Sequence, residues 1–145
     1  HTYADTVETV NRTAACGILT GGHVILGLPG ETHDEIIAQA AELSRLPLTP
    51  LKMHQLQLIR GTKMAREFEC RPEDFHLFSV DEYIDLVIDY VEHLRPDLIL
   101  ERFVSQSPKE LLIAPDWGLK NYEFTARVQK RMKERGAYQG KAYLV

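Results

Sequence analysis

Gly22-His23-Val24-Ile25-Leu26-Gly27-Leu28-Pro29-Gly30-Glu31-Thr32 is the stretch on which the fold turns. It reads as a strand, a glycine-proline turn and the start of a helix. In a strand over 22–28, Val24, Leu26 and Leu28 share one face, while His23, Ile25 and Gly27 share the other. The first face is aliphatic and suits packing under helices. The second mixes an imidazole, an isoleucine and a glycine, which suits a lumen or a ligand. A strand with apolar residues on both sides is expected to be buried and parallel. Pro29-Gly30 ends it, and Thr32 with Glu35 makes a T-x-x-E capping box, so a helix starts near residue 33. Ligands of α/β proteins gather where a strand delivers its carboxyl end to such a turn.

The flanks extend the same alternation. Ala4, Val7, Val10 and Ala14 predict a helix over 2–16, stopped at Gly17. After the turn, Ile36, Ile37, Ala40, Ala41 and Leu43 give the next helix its apolar stripe, and Pro47 and Pro50 close it. A second strand is expected over 51–59, with Lys52, His54, Leu56 and Leu58 alternating against Met53, Gln55, Gln57 and Ile59. Arg60-Gly61-Thr62 is its exit. Residues 63–78 read as irregular or weakly helical, broken at Pro72. Ser79 and Glu82 form another capping box, ahead of the most periodic helix: Val80, Tyr83, Ile84, Val87, Ile88, Val91 and Leu94. A third strand over 98–104, a loop through Pro115-Asp116-Trp117-Gly118 and a last helix over 122–135 complete the chain. The order α-β-α-β-α-β-α predicts βαβ units and a parallel sheet.

The chain has 145 residues, is 44% hydrophobic and 26% charged, and so suits one globular domain or part of a larger one. Starting at His1 without a Met, it is expected to be a piece of a longer protein. No apolar run approaches the roughly 20 residues of a membrane span, and no secretory pattern is present. Cys16 and Cys70 are far apart and read as free thiols of a cytoplasmic protein. The histidines form no i,i+4 pair beside a carboxylate, which argues against a local zinc site. Net charge is −4, yet the end of the chain is basic: Lys120, Arg127, Lys130, Arg131, Lys133, Arg135 and Lys141 face only Glu123 and Glu134 in that region. That helix suits RNA phosphates, or is simply a solvated face. No Walker loop, G-x-G-x-x-G or nucleophile elbow occurs.

Several segments together resemble radical SAM enzymes. The run from His23 to Thr32 is similar to their fifth strand, and His1-Thr2-Tyr3-Ala4-Asp5 to the end of the preceding N-R-G-H-T segment. Leu51-Lys52-Met53-His54 through Leu58-Ile59-Arg60-Gly61-Thr62 resembles the sixth strand. Glu101-Arg102-Phe103 and Ala114-Pro115-Asp116-Trp117-Gly118-Leu119-Lys120 resemble the C-terminal region of a YhcC-like bacterial branch, itself similar to Elongator-type tRNA-modifying proteins. The resemblance implies a (β/α)6 partial barrel in which a reduced [4Fe-4S] cluster cleaves S-adenosylmethionine and the resulting radical abstracts hydrogen. The family's C-x3-C-x2-C loop is absent, and two distant cysteines cannot replace it. The chain is therefore expected to be an α/β fragment of that barrel, about three parallel strands with flanking helices plus a C-terminal extension, with the half-barrel assigned to 1–96 and the extension domain to 97–145. It is expected to be inactive alone. The expected partners are the barrel's missing N-terminal half, RNA, and a second copy paired through the open sheet edge.

The same resemblance implies site roles. His23 stands where relatives place a polar residue that meets the cofactor ribose. Ile25 and the strand end near Leu58 would border the adenine, and Gly27, on the same face as His23 and Ile25, joins the cofactor-binding set. The family pattern G-x-I-x-G-x-x-E is imperfect, since His23 replaces the first glycine and Glu31 comes one place late. Lys52 and His54, two apart on one strand, are the candidates for substrate contacts. Glu101 and Arg102 are adjacent and so point to opposite strand faces. Trp117 reads as a core tryptophan or as a stacking platform beside Lys120. No catalytic or metal-ligating residue is assigned. The rival reading is a stand-alone α/β module that binds RNA or a protein through its basic last helix.

Overall fold

The structure, a computed structural model, describes residues 2–144. His1, part of the segment matched to N-R-G-H-T, lies outside them. Three strands form a parallel sheet: β1 (Gly22–Leu26), β2 (Pro50–Gln55) and β4 (Ile99–Arg102), in the spatial order β1-β2-β4. Each strand therefore lies beside its predecessor in the sheet. The two crossovers carry α2 (His33–Arg45) and α4 (Val80–His93), which pack against each other. Both helices open on capping boxes, Thr32 with Glu35 and Ser79 with Glu82, as the spacing predicted.

The core lies between these helices and the sheet. Leu26, Leu51 and Met53 point into it from the strands, and Tyr83, Ile84, Val87, Ile88 and Val91 from α4. Half-buried Val24 packs against the same cluster. α1 (Tyr3–Ala15) is fixed by a Thr2–Asp5 capping box and buries no residue fully; only Val7 and Val10 lean on the core.

Three expectations change. First, β1 stops at Leu26, because Gly27 takes φ +84° and breaks the alternation. Gly27 is thus not on the His23–Ile25 face. It is buried, and a Cβ built there would lie 2.5 Å from Cε2 of Phe78. Leu28, expected beneath the helices, is 38% exposed. Second, the strand expected over 51–59 divides. β2 ends at Gln55, and β3 (Leu58–Ile59) pairs antiparallel with β5 (Leu112–Ala114) in a separate two-stranded sheet. Third, residues expected to be irregular or weakly helical form α3 (Lys63–Cys70), capped by the Thr62 hydroxyl, and then a short 3-10 turn at Pro72–Asp74.

The core also crosses the boundary expected at 96/97. β4 is the third strand of the parallel sheet, and Phe124 and Val128 of α5 (Asn121–Arg135) belong to the same buried cluster as Leu26 and Met53.

Candidate functional site

The sheet has two unlike faces. The helix-covered one is aliphatic. The other carries His23 and Ile25 from β1, Lys52 and His54 from β2, and Ile99 and Arg102 from β4. Ile25 is 46% and Ile99 57% exposed. The register sets His23 directly opposite Lys52, and Lys52 opposite Arg102. One row across three strands therefore bears an imidazole, an ammonium and a guanidinium.

A register shift between Leu51 and Lys52 makes this row. It places both Glu101 and Arg102 opposite Lys52. Glu101 reaches the Lys52 ammonium at 2.8 Å, an ion pair that strand alternation did not suggest. Among the described residues, the Arg102 side chain has no hydrogen bond or ion pair. His54 is stacked on His23, with ring centroids 5.2 Å apart and planes inclined by 17°. Its Nε2 is buried and has no hydrogen-bond partner among the described residues. Partial burial, then the charges of His23, Arg102 and Lys52, push the His54 imidazole below its ordinary pKa. The ring is therefore neutral near pH 7, in a locally positive field.

A cleft of about 560 Å³ opens beyond the carboxyl ends of β2 and β4, lined by Gln55, Gln57, Ser105, Ser107, Trp117 and Lys120 among others. Gln55 takes over where the β2–β4 ladder ends. Its Nε2 donates to the Ser105 carbonyl at 3.0 Å, and its Oε1 accepts from the Ser105 amide at 2.9 Å. Gln57 Oε1 accepts from the hydroxyls of Ser105 and Ser107. Trp117 is part-buried rather than free: its Nε1 donates to the Phe78 carbonyl and its ring stacks on Phe124.

The site residues expected from the sequence thus separate into two groups. His23, Ile25, Lys52 and His54 come together on the open face. Leu58 is fully buried in β3, and Gly27 lies under Phe78. Arg102 was noticed only as a neighbour of Glu101; the bulge that brings it onto the row leaves no signature in the sequence.

Two of the basic residues of α5, Arg131 and Arg135, are engaged by α4. Asp81, Asp85 and Asp89 recur every four residues on α4. Arg131 donates to Asp85 at 2.8 and 3.0 Å and to Asp81 at 2.9 Å, and Arg135 to Asp89. Lys141 reaches Glu92 at 3.2 Å. The Arg131 and Arg135 pairs bind α5 to α4, and the Lys141 pair ties the segment after α5 to the same helix.

The family model described as Radical_SAM C-terminal domain matches residues 49–134. The chain belongs to that family. YtqA of Bacillus subtilis (strain 168) is 34% identical over 143 residues, which is 99% of this chain and 44% of YtqA. Protein YhcC of Escherichia coli (strain K12) is 23% identical over 142 residues, 98% of this chain and 45% of YhcC. The radical SAM chain thus spans less than half the length of these relatives. In three dimensions it is similar to the archaeal Methanocaldococcus infernus Elp3 with an N-terminal deletion, with a TM-score of 0.79 at 15% identity, over 96% of this chain and 32% of that one. That is a likeness of fold. Among the described residues, no helix is long and apolar enough to cross a membrane.

Proposed function

We propose that this chain supplies part of the S-adenosylmethionine and substrate site of a radical SAM enzyme, as the C-terminal portion of its partial barrel. The observation that carries the reading is the open face of a three-stranded parallel sheet whose strands run in chain order, with α2 and α4 packed on the other side. Such a sheet suits an arc of a barrel whose lumen is the exposed face.

His23 and Ile25 fit the cofactor. A neutral imidazole donates from one nitrogen and accepts at the other, matching a pair of ribose hydroxyls. Ile25, exposed two residues on, offers an apolar surface for adenine. When bound beside a reduced cluster, S-adenosylmethionine is the source of the hydrogen-abstracting radical that this family uses. The chain's own residues do not fit the cluster. Cys16 and Cys70 are both exposed, and among the described residues no group of three His, Cys, Asp or Glu stands together to hold a metal. The cluster's thiolates would come from a part of the protein outside these residues. Lys52 and His54 sit next to the cofactor side and face the substrate. The substrate of that enzyme is tRNA-related.

Reconstitution of the 145-residue chain with iron and sulfide is expected to yield no iron-sulfur absorbance; a stoichiometric cluster would overturn the reading. In a full-length protein carrying this segment, His23→Ala is expected to weaken S-adenosylmethionine binding roughly three- to tenfold, the worth of a hydrogen bond lost. Unchanged affinity would remove His23 from the site.

An isolated arc of a barrel is expected to self-associate. β1 and β4 are both edge strands, and the open face exposes Ile25 and Ile99. Unpaired edges recruit strands. Light scattering of the isolated chain is expected to show dimers or larger species as concentration rises. A monomer throughout would count against it. RNA contact through α5, the rival reading, would fall to Arg127, Lys130 and Lys133, since Arg131 and Arg135 are held by α4.

A further inference from the structure

The row His23–Lys52–Arg102 has an electrostatic cost. Like charges directly opposite one another on neighbouring strands destabilise a sheet. Glu101 offsets one cation, Lys52, at 2.8 Å. The Arg102 guanidinium remains, on a half-buried residue and without a hydrogen bond or ion pair among the described residues. Two residues from Lys52, His54 Nε2 is buried and unpartnered. A half-buried guanidinium and a buried ring nitrogen, both lacking partners on one open face, ask for a ligand rich in oxygen acceptors. The guanidinium fork matches a planar or tetrahedral oxyanion.

We propose that Arg102, Lys52 and His54 form an oxyanion site that holds a phosphate or carboxylate group of the substrate. The assignment to substrate rests on the radical SAM reading above. His23 and Ile25, the cofactor side, are on β1; Arg102 is on the far strand, about 10 Å away across two strand spacings. Arg102 and Lys52 supply charge and hydrogen bonds. His54 adds a donor when its Nε2 carries the proton. Glu101 holds the Lys52 ammonium in place on the same face.

The site is testable on the 145-residue chain by NMR, with inorganic phosphate and, separately, acetate titrated at an ionic strength fixed by sodium chloride. The expected result is a saturable shift of the His54 ring and Arg102 Nε–Hε signals with at least one of the two anions, and a rise in the His54 titration midpoint. Saturation by phosphate alone identifies a phosphate group; saturation by acetate alone identifies a carboxylate. Arg102→Gln is expected to weaken binding at least tenfold while keeping or raising the thermal midpoint, because a like-charge pair is removed; Lys52→Gln serves as the second variant. Shifts that chloride reproduces, or that persist in both variants, would overturn the site. L-Methionine competing with phosphate for the Arg102 signal would give the site to the cofactor carboxylate and overturn the substrate assignment. The His23→Ala test of cofactor binding reads a different residue, so failure of either reading is seen separately.

Discussion

Gly27→Ala is expected to cost about 3 kcal/mol, read as a lowered urea midpoint at unchanged m-value, from two effects acting together. The first is conformational. Gly27 sits at φ +84°, where an L side chain costs roughly 1–2 kcal/mol. The second is steric. The new methyl would stand 2.5 Å from Cε2 of Phe78, inside any real contact. Overpacking of this kind costs about 1–3 kcal/mol. Phe78, half-buried, is held by its neighbours. Its ring meets His76 edge-on at 4.4 Å and Tyr83 at 6.1 Å, and its carbonyl accepts the Trp117 indole N–H. Gly30 is the internal control. It has φ +82° but nothing within 4 Å of its built Cβ. Gly30→Ala should therefore show the conformational cost alone, roughly 1–2 kcal/mol. Equal losses at the two positions would mean that Phe78 moves aside and the steric argument fails.

This pair also shows how far the opening stretch could be read. Its strand, turn and capped helix all appear, because each depends on local chemistry: alternation, a positive-φ glycine and a threonine hydroxyl three residues before a glutamate. What glycine is needed for at 27 was not local. The sequence suggested a ligand approaching the strand end, whereas the occupant is a phenylalanine 51 residues further along. The same distinction explains β2. Alternation continues through Ile59, so the pattern carries no sign of the break after Gln55. The break comes from Gln55 and Gln57, whose side chains hold residues 105 and 107 in place of a backbone ladder. A three-residue strand such as β5 is too short for periodicity to show at all.

The site divides in the same way. His23, Ile25, Lys52 and His54 share a face because period-two geometry on two well-formed strands requires it. Their neighbour Arg102 depends on a register shift, a property of two strands together that neither segment carries alone. The basic helix was visible as charge, yet its counterpart on α4, an Asp at every fourth position, was distributed over a segment read for its apolar stripe. Charge reads as a binding surface only until the opposing element is known.

The second large effect concerns how many folding units the chain contains. Phe124→Ala is expected to cost about 3–5 kcal/mol, the usual loss for a fully buried phenylalanine. Phe124 lies on α5, beyond residue 96, but its neighbours lie on both sides of that boundary. Its ring stacks on Trp117 at 5.9 Å and meets Tyr83 of α4 at 5.7 Å. Tyr83 in turn donates its hydroxyl to the Phe103 carbonyl. Removing the ring leaves a cavity at the junction of α4, α5 and the loop that carries Trp117. If residues 97–145 were an independent unit, the variant would lose Trp117 fluorescence in one transition and the helices of 1–96 in a later one. A single shared core predicts instead that fluorescence and far-UV circular dichroism fall together, at a midpoint lowered for both. Because Phe124 and Trp117 also line the cleft beyond β2 and β4, the same substitution ties the stability of the parallel sheet to the shape of that cleft. Two separated transitions would restore the boundary at residue 96 and make the ion pairs between α4 and α5 an interface between domains rather than part of one core.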